Sequence, residues 1–154
     1  ALASMESNSV RLNVIRADGI DVINDTYNAS PDSVRAALDV LRDRKAERRV
    51  AVLADMFELG EESDDYHRNI GRYASENGVD ILVTIGKNAE FIADGAAEKM
   101  KREQIFHFDR SEQFIKEAHE IIRKGDTVLV KGSHGMAMHK VAGYLTETGE
   151  WNGR

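Results

Sequence analysis

The chain has 154 residues, with 21 Lys and Arg against 27 Asp and Glu, a formal net charge of -6, and no cysteine. This length suits one domain that buries about two-thirds of its unfolded surface, the missing thiols exclude disulfides and thiolate metal sites, and the acidic balance argues against a nucleic-acid partner. No apolar run approaches the roughly 20 residues that span a bilayer, and Ala1-Leu2-Ala3-Ser4-Met5 has neither the basic leader nor the apolar stretch of a signal peptide, so a cytoplasmic chain with no membrane partner is expected.

Residues 1–9 read as a disordered or linker remnant, 10–147 as the folded domain and 148–154 as a tail. Two β-type runs, Arg11 to Arg16 and Ile20 to Ile23, flank Ala17-Asp18-Gly19, and an Asp-Gly pair between such runs predicts a hairpin. Ser30 then caps a helix with Pro31 in its first position and Val34, Ala37, Leu38 and Leu41 on one stripe. Arg49 to Ala54 is nearly all apolar, as in a central strand covered on both faces. Ser63 is expected to cap a second helix carrying Tyr66, Ile70, Tyr73 and Ala74, ended by Gly78. Ile81 to Ile85 is the next strand. A third helix opens at Lys87 or Asn88, carries Phe91, Ile92 and Ala96, and runs into the basic stretch Lys99 to Arg102. Ile105 to Phe108 is a short strand; Phe114, Ile115, Ala118, Ile121 and Ile122 mark an amphipathic helix stopped by Gly125. Thr127 to Val130 is the last strand and Met136 to Leu145 the last helix. Strands alternating with helices predict an α/β, Rossmann-like, doubly wound and mostly parallel sheet that opens with a β-hairpin.

Three polar segments follow β-type runs, and in a parallel sheet such turns emerge on one edge. In the first, Asn24, Asp25 and Asn28 offer carboxylate and amide groups to ribose-type hydroxyls or a base edge; equally, Asp25 and Asn28 could do no more than satisfy turn and cap groups. In the second, Met56, Phe57 and Leu59 could wall a small apolar pocket with Asp55 or Glu58 available to an ammonium group, or Met56 and Leu59 could pack beneath the loop. In the third, Lys131, Gly132, Ser133 and Gly135 suit an anion, against a simple solvated lysine. His67 lies three residues after Asp64, where an exposed ion pair is expected. His107, His119, His134 and His139 form no recognisable metal set.

Together these segments resemble the C-terminal domain of the Mur ligases, in the branch that joins D-Ala-D-Ala to a UDP-N-acetylmuramoyl-tripeptide. Asp25-Thr26-Tyr27-Asn28-Ala29-Ser30-Pro31, Asp55-Met56-Phe57-Glu58-Leu59-Gly60 with the later Ser63 and His67, and Val130-Lys131-Gly132-Ser133 carry the likeness, which runs from Arg11 to Leu145. Ala54 stands where the family has glycine, and His134 where many members have arginine. The resemblance implies an ATP-dependent ligation in which this part acts as a lid. It assigns Asn24, Asp25, Tyr27, Asn28 and Arg11 to the nucleotide, and Asp55, Met56, Lys131, Ser133 and His134 to the incoming dipeptide. ATP and magnesium would be held mainly by a central domain, since Gly86-Lys87-Asn88 lacks the spacing of a phosphate loop. No catalytic or metal residue is expected in this chain, which is expected to be monomeric and inactive alone. The rival reading is a signalling receiver domain phosphorylated on Asp55.

Overall fold

The computed structural model describes residues 13–147 and Trp151; the expected stretch 1–9, Arg11 and most of the tail lie outside the described residues. The hairpin forms as its turn predicts. β1 (Asn13–Ala17) pairs antiparallel with β2 (Ile20–Asp25), and Asp18 and Gly19 take φ of 50° and 92°, the left-handed pair that matches strand twist. Ser30 caps α1 (Pro31–Asp43), accepting from Ser33 N at 3.2 Å while Ser33 Oγ accepts from Ser30 N at 2.9 Å. Its predicted stripe, Val34, Ala37, Leu38 and Leu41, is buried.

β3 (Arg48–Ala54) is buried from Val50 onward and lies inside the sheet, as its apolar run requires. α2 (Ser63–Glu76) departs from expectation at its start. A 3-10 turn, Gly60–Glu62, leads into it, so Ser63 is already helical and the capping position falls to Glu62, which makes no side-chain bond. The buried stripe is His67, Ile70, Gly71 and Ala74, while Tyr66 is 38% exposed. Gly78 ends the helix at φ 86°, with Val79 N donating to Ala74 O.

β4 (Ile81–Ile85) leads to α3 (Ala89–Ala96), which stops before the basic stretch. Both Lys99 N and Met100 N turn back onto Ala96 O, and this tucks Met100 into the core. β5 (Ile105–Phe108), α4 (Ser111–Ile121) and β6 (Asp126–Lys131) follow. A 3-10 turn at His134–Met136 then leads into α5 (Met138–Glu147). Among the described residues no helix is long and apolar enough to cross a membrane.

Among the described residues six strands form one sheet in the order β1-β2-β6-β3-β4-β5, parallel except for β1. α1, α2 and α3 carry the chain outward along one face, over Ile23, Ala51, Leu53, Leu82 and Leu129. α4 brings it back along the other face, where α5 also packs, over Val22, Val50, Val52 and Val128. A single crossover hand demands this change of face when the chain reverses direction. Trp151 closes that second layer, 3% exposed and stacked on His119 at 4.6 Å.

α2 and α3 touch backbone to backbone. A Cβ at Gly71 would lie 1.9 Å from Ile92 O, and one at Gly95 would lie 2.0 Å from Arg68 O. Replacing a helical glycine by alanine gains about 1 kcal/mol of propensity, but overpacking at such a contact costs about 3 kcal/mol. The clash wins. Gly71→Ala is expected to lower stability by about 2 kcal/mol in urea unfolding, and an unchanged or raised midpoint would show that the helices can part cheaply.

Candidate functional site

β2, β6 and β3 are consecutive neighbours in the sheet, so their C-terminal ends place three loops side by side. Asp25 and Lys131 are register partners across β2 and β6. Their side chains leave the same face of the sheet and meet at 2.8 Å, only 6% and 2% exposed. Lys131 Nζ also donates to Asn28 O at 2.9 Å. A buried ammonium with two charge-assisted partners is tolerable where an unpaired one is not. The solvated-lysine reading is therefore wrong: Lys131 braces the first loop from beneath, and a direct grip on a substrate carboxylate would require breaking this pair.

The second and third loops are stitched together by Ser133. Its N–H donates to Asp55 O at 3.0 Å and its Oγ accepts from Phe57 N at 2.9 Å. Asp55, 6% exposed, turns inward, and its Oδ1 accepts from Ala89 N at 2.6 Å, so this carboxylate serves the start of α3. Met56, assigned to the dipeptide, is 1% exposed and packs beneath the loop among Leu53, Ile70 and Ala89. His67 supports the same loop. Far from an exposed pair with Asp64, it is fully buried; Nε2 accepts from Met56 N at 3.1 Å and Nδ1–H donates to Ser63 O at 2.7 Å. The signal was in the spacing, because positions 67, 70, 71 and 74 form one helical stripe.

Above this framework lies an open cleft of about 620 Å³, lined by residues 27–30, 57–59 and 133–135. Tyr27 is 73% exposed, with its ring edge-on to His134 at 6.2 Å. Asn28 uses Oδ1 to accept from Ala29 N, which leaves its amide N–H groups for a ligand. Phe57 is 43% exposed and lies against Gly135, where a Cβ would come within 2.9 Å of the ring. Of the ten residues assigned by resemblance, Tyr27, Asn28, Ser133 and His134 line the cleft. Asp25, Lys131, Asp55 and Met56 lie beneath it, and Arg11 is outside the described residues. Asn24 is set aside by strand alternation: it points to the face opposite Asp25, and its buried Oδ1 has no partner. A second hollow, about 420 Å³, lies at the other end of the strands, where Arg16 holds Asp21 and Arg48 holds Asp126. Among the described residues no group of three or more His, Asp or Glu is placed to hold a metal ion.

With this geometry in place, the Mur ligase glutamate ligase domain matches residues 10–134. The chain belongs to the Mur ligase family. The Bacillus subtilis UDP-N-acetylmuramoyl-tripeptide--D-alanyl-D-alanine ligase is 32% identical over 149 residues, covering 96% of this chain and 33% of that enzyme. MurF from Acinetobacter baumannii matches in structure with a TM-score of 0.80 at 30% identity, over 89% of this chain and 30% of that one. The MurF ligase of Thermotoga maritima in complex with ADP gives 0.72 at 29% identity, over 88% and 30% of the two chains. This Mur ligase chain thus spans about a third of the length of the relatives it matches. Nothing supports a receiver domain: the aspartate it would phosphorylate is buried and already holds Ala89 N–H.

The Asp25–Lys131 pair makes a stability test available. Removing one partner of a buried pair costs about 3 to 5 kcal/mol, whereas replacing both with apolar groups is often neutral. Lys131→Met is expected to be strongly destabilised in urea unfolding, and adding Asp25→Leu to recover most of the loss. A double variant as weak as the single one would mean that Lys131 acts chiefly through Asn28 O.

Proposed function

We propose that this chain is the C-terminal part of an ATP-dependent ligase of the cytoplasm that joins D-Ala-D-Ala to a UDP-N-acetylmuramoyl-tripeptide for peptidoglycan synthesis, supplying contacts to the nucleotide and to the dipeptide. The observation that carries the reading is the cleft itself: segments separated by more than a hundred positions meet at one sheet edge and leave an aromatic, an amide, an imidazole and a carboxylate facing open space. Relatives of about three times the length, named for this reaction, support it.

ATP, with its magnesium, is read as held mainly by parts of the ligase outside this chain, and supplies the phosphoryl group that activates the tripeptide carboxylate. Tyr27 and Asn28 fit the adenosine end, because a solvated ring gives a stacking surface and a free amide can read a base edge. The side chain of His134, whose ring lies 6.2 Å from that of Tyr27, can face a carboxylate. A cleft completed from both sides would exclude water from the acyl group while the amine attacks.

The test uses the full-length ligase that carries this chain. Phosphate release is expected only with ATP, the UDP-linked tripeptide and D-Ala-D-Ala all present, and none from residues 10–147 alone. Release without the dipeptide would refute the assignment. Tyr27 is so exposed that Tyr27→Ala is expected to leave stability within about 0.5 kcal/mol, yet to raise the KM for ATP about tenfold, the equivalent of 1.4 kcal/mol.

A further inference from the structure

The loop after β3 carries two acids, and only one is available to a ligand. Asp55 turns inward to Ala89 N. Glu58 lines the 620 Å³ cleft and is the one carboxylate among the residues that do so. It has no hydrogen-bond or ion-pair partner among the described residues, and it also borders the adjoining hollow of about 470 Å³ beside Tyr66.

Its backbone is unusual. Glu58 sits at φ 64°, in the left-handed region that side-chain-bearing residues disfavour. The neighbours leave little room to relax. Met56 is fixed by burial and by His67, Phe57 N is held by Ser133 Oγ, and Leu59 is half-buried against the α1 to α3 face of the sheet. A glycine would adopt this turn more readily. What a glycine lacks is the anion, presented over a cleft walled by Tyr27 and Phe57.

We infer that Glu58 receives the ammonium group of the incoming amino component, so that this strained, unpartnered carboxylate selects the amine substrate. The inference rests on the ligase reading and deepens it. Glu58 is exposed in this chain, and its attraction for an ammonium ion strengthens once the cleft is completed from the other side and water is excluded, because the local dielectric then falls. The carboxylate orients the amine and makes no covalent bond.

Two substitutions in the full-length ligase test this, with D-Ala-D-Ala as the probe. Glu58→Gln keeps the shape and removes the charge; it is expected to raise the KM for D-Ala-D-Ala at least tenfold and to leave the KM for ATP within twofold. Glu58→Gly relieves the backbone and is expected to raise the thermal unfolding midpoint while it raises the KM for D-Ala-D-Ala just as much. Stability and amine affinity then move in opposite directions, which a purely structural role would not produce. A KM for D-Ala-D-Ala within twofold of the unsubstituted ligase in both variants would overturn the inference and leave the ligase reading intact, as would equal rises in both KM values. Absence of dipeptide-dependent phosphate release from the unsubstituted ligase would overturn the reading and the inference together.

Discussion

A lysine and an aspartate buried against each other hold this domain's working edge in place. Asp25 and Lys131 are 106 positions apart in sequence and are joined at 2.8 Å, each nearly sealed from solvent. Taking two ions out of water carries a desolvation cost of several kcal/mol per ion, offset only when the geometry is good and the remaining protons are used. Here one proton goes to the carboxylate and another to Asn28 O. A register slip between β2 and β6 would flip one partner to the other face and strand the charge that remained. The pair therefore fixes both the alignment of two strands and the point at which the chain leaves β2 to enter α1.

Polar residues at the sheet edge divide into two tiers. The lower tier, Asp25, Lys131, Asp55 and His67, together with Ser133 where the cleft meets it, is buried, and its side chains bond to other parts of the chain. The upper tier, Tyr27, Asn28, Phe57, Glu58 and His134, projects into the cleft from loops that the lower tier immobilises. Ligand groups need this arrangement, because side chains set on a mobile loop would lose ordering entropy each time a ligand bound. The cleft stays wide open, in keeping with a chain that spans about a third of its relatives.

Most of the fold was legible because its signals are local and periodic. The Asp18-Gly19 turn, the Ser30-Pro31 helix start and the apolar run of β3 each state their structure within a few residues. Helix boundaries were less legible where two signals competed. Ser63 looked like a cap, but Gly60, at φ 73°, had already started a tight turn ahead of it. Of the site, sequence showed which segments would converge but not which side chains would face the ligand. Lys131 read as an available cation because its partner belongs to a strand known to be adjacent only once the sheet order is known. His67 read as a surface residue through its nearness to Asp64, although its helical stripe placed it inside. Asn24 could have been assigned to the far face by alternation alone, had the Asp25 face been known.

The place of β6 between β2 and β3 also bears on how the domain is assembled. The strand that joins the two halves of the sheet is the last among the described residues, and its partners precede it by 106 positions in β2 and 78 in β3. Until it arrives, β2 and β3 have bare inner margins, each with unpaired N–H and C=O groups of the kind that recruit stray chains. Closure then depends on contacts of long sequence separation, which slow the search for the native state. The hairpin, by contrast, can form at once, and β1 gives the growing polypeptide one covered side while β2 waits for its permanent neighbour.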